Sequence, residues 1–226
     1  MSDTLASVTA EIVACRACPR LVAWREEAAS VKRAAFRDED YWARPVPGFG
    51  DPGARVLVVG LAPAAHGGNR TGRVFTGDRS GDFLFASMFR TGFANQAESV
   101  RAGDGLRLRD AYVAAAVRCA PPANKPTPDE RDRCLPYLRR EVALLKRLRV
   151  VVALGAFGYE SVWRVLGGAR RPRFAHGLEA PCGRLTVLCT FHPSQQNTFT
   201  GKLTPEMLDA VFTRARHLSA SNSPTA

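Results

Sequence analysis

Four short runs of β-branched and other apolar residues, each followed by a helical pattern, constrain the fold of this chain more than any other feature. The runs predict buried strands at residues 55–60, 112–117, 149–154 and 185–191. Apolar spacing predicts helices at residues 4–14, 82–91, 127–148, 156–166 and 204–218. Strands that alternate with helices form a parallel sheet covered on both faces, so the sequence predicts an α/β fold.

Length and composition favour one domain. Of 226 residues, 46% are apolar and 23% are charged, which excludes a coiled coil, collagen and wholesale disorder. No apolar run approaches the ~20 residues that a bilayer requires. We predict a single domain over residues 1–218 and a frayed polar tail over residues 219–226. The N-terminus lacks the pattern of a secretory signal, so we expect a cytoplasmic protein.

The charge of the chain points to a polyanionic partner. Lysine and arginine number 32 against 21 acidic residues, a formal net charge of +11 at pH 7. Contacts between such a surface and phosphates release counterions, so nucleic acid is the natural partner and binding would weaken with salt. An arginine-rich surface that simply faces water is the alternative.

Six cysteines in a chain without an export signal argue against disulfides and for ligation or burial. Four of them are candidate ligands of zinc or of an iron–sulfur cluster, namely Cys15, Cys18, Cys119 and Cys134. Separate buried thiols remain the alternative for these four. Cys189 lies inside an apolar run and Cys182 in a turn beside Pro181, so we interpret both as structural.

Ligands of an open α/β sheet bind at the carboxyl ends of its strands, which directs attention to two loops. Residues 60–81 are rich in glycine and small side chains, which lets backbone amides approach a ligand closely. They lack a phosphate-binding P-loop and a dinucleotide motif, which removes the main support for nucleotide hydrolysis. After the last strand stands His192, an imidazole followed by short polar residues, which is either functional or an ordinary loop histidine.

These loops and cysteines together resemble family 5 (type B) of the iron–sulfur branch of the uracil-DNA glycosylase superfamily. The resemblance spans about residues 15–207 and rests on GLAPAAHGGNRTGR at 60–73, FTGD at 75–78, RCAPPANKP at 118–126 and HPS at 192–194. It implies a [4Fe-4S] cluster held by Cys15, Cys18, Cys119 and Cys134 that supports loops near the DNA. It also implies a three-layer α/β/α fold with a central four-stranded parallel sheet.

The resemblance also implies how a lesion is read and released. Backbone amides of residues 60–65 line the pocket, Phe75 stacks on the extruded base, and His192 hydrogen-bonds the pyrimidine oxygen on which charge gathers. Phe75 as an ordinary core residue is the alternative. The implied substrate-binding residues are Gly60, Leu61, Ala62, Ala64, Ala65, His66, Phe75 and Asn124.

The sequence departs from related families at two places. Those families place a carboxylate or amide just after Gly60, where Leu61 and Ala62 stand here. Asp78 is therefore our candidate to orient water or to stabilise the cationic sugar, although it also suits the N-cap of the next helix. Neighbouring family 4 reads uracil with an asparagine at the position of Ala115, which makes Asn124 the replacement amide and a third catalytic candidate, with Asp78 and His192.

The predicted DNA contacts follow the same loops. Residues 195–202 are expected to enter the minor groove and to occupy the space that the extruded base leaves. Arginines of the glycine-rich loop and of residues 170–173 are expected to contact phosphates, with a solvated face as the alternative for the latter. The DNA-binding candidates are Arg70, Arg73, Ser194, Gln195, Gln196, Asn197 and Lys202. No lysine stands where the family uses one as a nucleophile, so we expect simple hydrolysis.

The sequence thus predicts a monomeric, monofunctional glycosylase that removes uracil, hypoxanthine, xanthine and other deaminated bases from DNA at the nucleoid. Two alternatives stay open. The missing acid at Leu61 and Ala62 is compatible with a non-catalytic module that binds damaged DNA or RNA. The four cysteines are compatible with a zinc site.

Overall fold

A computed structural model describes residues 3–168 and 170–220. The helices are α1 Leu5–Ala14, α2 Pro19–Val31, α3 Gly68–Thr71, α4 Arg79–Arg90, α5 Pro128–Leu144, α6 Gly155–Leu166, α7 Gln195–Phe199 and α8 Pro205–Ala220. The strands are β1 Phe49–Gly50, β2 Val56–Gly60, β3 Ala111–Ala115, β4 Val150–Leu154, β5 Glu179–Cys182 and β6 Leu185–Thr190. Short 3₁₀ turns occupy Ala34–Phe36 and Pro122–Asn124.

In this part of the chain the sheet has six strands in the order β1-β3-β2-β4-β6-β5. Strands β3, β2, β4 and β6 pair in parallel, which confirms the predicted four-stranded parallel centre. Two short antiparallel strands, β1 and β5, extend it at the edges and were not predicted. Strand β1 has only two residues, and β5 reads EAPC, so neither shows an apolar run. Cys182 ends β5 instead of lying in a turn.

Alternating side chains of the central strands build two separate cores, one on each face of the sheet. Val56 and Val58 of β2 pack in one core with residues of α4 and α8. Leu57 and Val59 pack in the other core with residues of α5 and α6. This period of two along a buried strand confirms the three-layer α/β/α arrangement.

Helix α2 is the one long helix that the sequence analysis missed. Its buried positions are Leu21, Arg25 and Ala28. An arginine on the buried face breaks the apolar pattern by which amphipathic helices are found. The helix begins at Cys18, which is its N-cap, with Pro19 at the first helical position.

The C-terminal boundary differs from the prediction. Ser219 and Ala220, assigned to the frayed tail, are the last residues of α8. Ser219 is buried, and its carbonyl oxygen accepts a hydrogen bond of 3.1 Å from Arg55 Nη1. Residues 221–226 of the predicted tail lie outside the described residues. Among the described helices, none combines the length and the apolar character needed to cross a bilayer.

Candidate active site and cysteine cluster

A cleft of about 820 Å³ opens beside the carboxyl ends of the parallel strands. Loops after β2, β3 and β6 all contribute to it, as expected for this class of sheet. The predicted site residues that line it are Ala64, Ala65, His66, Arg70, Asp78, Asn124 and Gln195. Side chains from distant parts of the sequence therefore meet in one cavity.

Phe75 and His192 lie together behind Gly60, beyond the lining of this cleft. Their rings are 5.9 Å apart between centroids and inclined by 36°. A Cβ built on Gly60 would lie 2.7 Å from Cε2 of Phe75, so only glycine lets the Phe75 ring approach the end of β2 this closely. Phe75 has φ +53°, a left-handed conformation that is unusual for a bulky residue and typical of functional loops.

His192 lies two residues after the end of β6 and is fixed by its own loop. Its carbonyl oxygen accepts a hydrogen bond of 2.8 Å from Asn197 Nδ2. Burial lowers the pKa of His192 to about 4, so the imidazole is neutral near pH 7. A neutral imidazole carries one N–H donor and stabilises a developing oxyanion through that donor, without a full positive charge.

Asp78 is the N-cap of α4, which confirms its capping role, and its side chain also lines the cleft, where its catalytic role stays a prediction. Its Oδ1 accepts a hydrogen bond of 3.0 Å from the amide of Gly81. Burial raises the pKa of Asp78, an effect opposed by hydrogen bonds from the amides of Gly81 and Ser80 and reinforced by the charge of Asp82. A raised pKa makes a carboxylate a better proton acceptor.

His66 is oriented in the cleft by a residue that sequence reasoning did not find. Its Nδ1 is hydrogen-bonded to Tyr41 Oη at 3.0 Å, and the two rings meet edge to face. Burial lowers the pKa of His66, and the positive charges of Arg33 and Arg70 lower it further. His66 therefore presents a neutral ring to the cleft.

Asn124 lies at the rim of the cleft, not on its floor. It ends the 3₁₀ turn after Cys119, has φ +55° and is exposed. Its exposed amide is available to a ligand that enters the cleft. Ala115, the position at which family 4 carries its asparagine, is buried at the end of β3 and pairs with Gly60.

Arg70 and Arg73 do not have the free guanidinium groups that the prediction of phosphate contacts requires. Arg70 is buried and bonds the carboxylate of Glu39 and the carbonyl oxygens of His66 and Gly77. Arg73 is buried as well, and its nearest acid, Asp104, lies 2.7 Å away. Both arginines brace the glycine-rich loop from inside, because their donors are already used within the protein.

Two other arginines line the cleft, Arg33 after α2 and Arg79 at the start of α4. Neither forms a salt bridge with a carboxylate of residues 3–168 or 170–220. Arg79 stacks on Phe199, with its guanidinium carbon 5.1 Å from the ring centre. Arg33 and Arg79 are the cleft cations that composition alone did not single out.

The stretch after His192 divides into supporting and exposed residues. Ser194 is the N-cap of α7, and Asn197 holds the carbonyl of His192, so both support the loop. Gln195 lines the cleft and Gln196 is exposed.

Lys202 is exposed and lies 4.8 Å from the ring centre of Phe191. Phe199, which the sequence analysis did not single out, is 66% exposed at the rim.

The four candidate cysteine ligands line a single small cavity, together with Arg118 and Tyr137. Burial raises the pKa of Cys119 to about 11 and that of Cys134 to about 12. Within the described residues no group of three or more cysteine, histidine, aspartate or glutamate side chains forms a site for a single metal ion. Cys182 and Cys189 lie apart from this cavity, buried in β5 and β6, as a structural role requires.

Four cysteine side chains beside one small cavity are the ligand set of either a zinc ion or an iron–sulfur cluster. A zinc ion gathers its four ligands at about 2.3 Å from one centre. The thiolates of a [4Fe-4S] cluster are spread more widely, because each binds a different iron. The Nη1 of the buried Arg25 donates to Cys119 Sγ at 3.1 Å, which provides positive charge next to the sulfurs.

Comparison with known proteins agrees with this architecture. Residues 47–216 match the family model described as the uracil DNA glycosylase superfamily. The type-5 uracil-DNA glycosylase of Mycobacterium bovis is 53% identical over 222 residues, 96% of this chain and 83% of that protein. The type-5 enzyme of Thermus thermophilus is 52% identical over 210 residues, 92% of this chain and 95% of its own. The type-4 uracil-DNA glycosylase of Pyrobaculum aerophilum is 32% identical over 162 residues, 68% of this chain and 74% of its own. The chain therefore belongs to the uracil-DNA glycosylase superfamily and, within it, to the type-5 group.

Proposed function

We propose that this chain is a monofunctional DNA glycosylase that hydrolyses the N-glycosidic bond of uracil, hypoxanthine and xanthine in DNA and leaves an abasic site for base excision repair. The observation that carries the proposal is the meeting of Asp78, His66 and Asn124 in one cleft, with Phe75 and His192 directly behind it at the strand ends. Membership of the type-5 group agrees with it.

Release of the base begins with its extrusion from the duplex. A stacked base is out of reach of any side chain, so the nucleotide must rotate into the protein. The Phe75 ring offers an apolar face to the extruded base, and backbone amides of residues 60–65 bind its edge. Bond cleavage leaves negative charge on the base, which the neutral His192 stabilises by donating its N–H to the base oxygen.

Asp78 serves the second half of the hydrolysis, the attack of water on the sugar, in this proposal. Oδ1 accepts from the amide of Gly81, and Oδ2, which lies against Gly67, is our candidate oxygen to orient the attacking water or to stabilise the cationic sugar. The buried position favours proton acceptance from that water. No carboxylate stands at Leu61 or Ala62, so Asp78 takes over the task that other families give to that position.

The range of bases follows from the placement of Asn124. An amide on an exposed turn at the rim contacts a base less restrictively than one fixed at the buried position of Ala115. We therefore propose that purine products of deamination are accepted beside uracil.

The DNA is held by the rim of the cleft. Arg33 and Arg79 contact phosphates, in place of the internally bonded Arg70 and Arg73. Phe199 fills the space that the extruded nucleotide leaves, and Gln195, Gln196 and Lys202 follow the minor groove. The chain acts as a monomer, in a single glycosylase domain, at the nucleoid.

Cys15, Cys18, Cys119 and Cys134 hold a [4Fe-4S] cluster in this proposal. The cluster fixes the turn of residues 119–124 relative to α2 and takes no part in hydrolysis. Purified protein is expected to be brown and to contain iron and acid-labile sulfide. A colourless protein that contains stoichiometric zinc would instead show that the four cysteines form a zinc site.

The test is a panel of duplexes that carry uracil, hypoxanthine or xanthine at one position, incubated with wild-type protein and with Asp78→Asn. Alkali-labile sites with the wild type and a strong loss with the variant are expected. Binding without base release from any duplex would favour the alternative, a module that recognises damaged DNA or RNA. Strand cleavage without alkali would contradict monofunctional hydrolysis.

A further inference from the structure

Helix α2 carries a buried arginine whose charge no carboxylate balances. Arg25 is 2% exposed, and its Nη1 donates to Cys119 Sγ at 3.1 Å and to the carbonyl oxygen of Cys15 at 3.3 Å. Its Nε is buried without a hydrogen-bond partner. No carboxylate of residues 3–168 or 170–220 forms a salt bridge with it, and the adjacent Glu26 is paired with Arg16 at 2.6 Å.

Arg118, a fully buried arginine that lines the cysteine cavity, has a balanced charge. Arg118 is 1% exposed and forms a twofold salt bridge with the equally buried Glu141. Burying a cation without a counter-charge costs several kcal/mol, so unpaired buried arginines are rare. The environment of Arg25 therefore requires an anion, and its Nη1 bonds one sulfur of the cysteine cavity, Cys119 Sγ, beside the carbonyl oxygen of Cys15.

The backbone of Arg25 is fixed from the opposite side. Asn69 Nδ2 donates a hydrogen bond of 3.1 Å to the carbonyl oxygen of Arg25. Asn69 is fully buried in α3, and its backbone N–H donates to the carbonyl oxygen of Ala64, a residue that lines the cleft. Arg25 thus lies between the cysteines and the loop that lines the cleft, with its guanidinium held toward the sulfurs.

We propose that Arg25 is the counter-ion of the iron–sulfur cluster: its guanidinium donates to the Cys119 thiolate and balances the negative charge of the ligated cluster. The inference rests on the proposed cluster. Positive charge and a hydrogen bond at a ligand sulfur stabilise the ligated form and raise the reduction potential of a cluster, because the reduced state is the more negative one.

The experiment compares Arg25→Gln and Arg25→Lys with Arg16→Gln, all as purified holoproteins. Arg16 neighbours Cys15 in sequence but is exposed, so its variant removes one positive charge near the cavity without removing a bond to sulfur. The readouts are iron and sulfide per chain, the rate at which a chelator bleaches the cluster absorbance, and the midpoint potential. Circular dichroism establishes that each variant is folded.

We expect Arg25→Gln to bleach about 10–100-fold faster than wild type and to have a lower midpoint potential. Arg25→Lys keeps the charge and is expected to restore most of the potential, and Arg16→Gln to behave as wild type. Equal potentials and bleaching rates in Arg25→Gln and Arg16→Gln would overturn the counter-ion role. So would an effect of Arg25→Gln confined to anion binding in the neighbouring groove of about 610 Å³ beside Trp42 and Arg44.

Wild-type protein without iron and sulfide would overturn the cluster and the counter-ion together. Base release is measured separately, so failure of the glycosylase proposal is distinguishable from both. A wild type that retains iron but leaves every damaged duplex intact would refute the activity and leave the role of Arg25 standing.

Discussion

The backbone of Gly67 lies directly against the carboxyl group of Asp78. A Cβ built on Gly67 would come within 2.9 Å of Asp78 Cγ and closer still to Oδ2. A single methyl group at residue 67 would therefore move the oxygen that the capping bond to Gly81 leaves available.

Gly67→Ala is expected to lower the rate of uracil release although residue 67 has no reactive group. Displacement of a catalytic carboxylate costs up to the ~10²–10⁴-fold that general-base catalysis contributes. Single-turnover excision from a uracil duplex measures the loss. Gly53→Ala, where a Cβ meets its nearest neighbour at 3.3 Å, is the control. Unchanged excision by Gly67→Ala would show that the Asp78 carboxylate need not stay where it lies.

Asp78→Asn and Asp78→Ala should separate the two roles of the residue. Asparagine retains an oxygen for the cap of α4 but cannot accept a proton as the carboxylate does. We therefore expect a rate loss of about 10²–10⁴-fold with little change in stability. Alanine should add a destabilisation of about 1 kcal/mol. Urea unfolding beside single-turnover kinetics gives both quantities. Equal stability of the two variants would remove the capping role.

His192 should make folding sensitive to acid. Burial lowers its pKa to about 4 in the folded protein, against 6.5 in an unfolded chain, so the unfolded chain binds the additional proton between these values. The stability that a neutral His192 provides is complete above pH 6.5 and decreases as the pH falls toward 4, by up to about 3 kcal/mol. Urea unfolding of wild type and His192→Gln from pH 7.5 to 4.5 tests this. Parallel pH profiles would contradict it.

Arg33→Gln and Arg79→Gln should weaken DNA binding through phosphate contacts. Each change is expected to reduce the slope of log affinity against log salt by about 1, whatever base the duplex carries. Arg139→Gln, an exposed arginine of α5, is the control. Fluorescence anisotropy at several salt concentrations measures the slopes. A loss of affinity with an unaltered slope would exclude the phosphate role.

Phe199→Ala should impair removal of uracil from a stable duplex more than from a single strand. The exposed ring is expected to stabilise the gap left by the base, a contribution of a few kcal/mol that single strands do not need. Excision rates on uracil paired with adenine and on single-stranded DNA give the comparison. Phe89→Ala, 47% exposed on α4, is the control for the loss of an aromatic surface. Equal losses on both substrates would argue against a role in base extrusion.

The sequence predicts a segment well where a single requirement, such as burial on both faces, determines its residues. Strands β2, β3, β4 and β6 are buried on both faces, so their apolar runs identify them directly. Helix α2 was missed because Arg25 occupies its buried face, and that placement makes sense only once the neighbouring sulfurs are known.

The sequence does not show which distant residues pair with the side chains of the site, and this limits the prediction of their roles. Arg70 and Arg73 looked like DNA contacts because their charges are visible in the sequence, whereas their partners Glu39 and Asp104 each lie 31 residues away along the chain. Phe199 was overlooked for the opposite reason, since an aromatic residue is ordinarily assigned to a core. The pairing of Tyr41 with His66 likewise has no sequence signal.

The hydrogen bond from Asn69 to the carbonyl oxygen of Arg25 connects the cysteine cavity to the loop beside the cleft, so the supply of iron is expected to affect the mutation rate of the cell. Arg25 bonds Cys119 on one side and Asn69 on the other, so in the proposed holoprotein we expect iron loading to shape the loop of residues 60–73 as well. A cell starved of iron would then accumulate unrepaired cytosine deamination even while it synthesises this polypeptide at its normal rate.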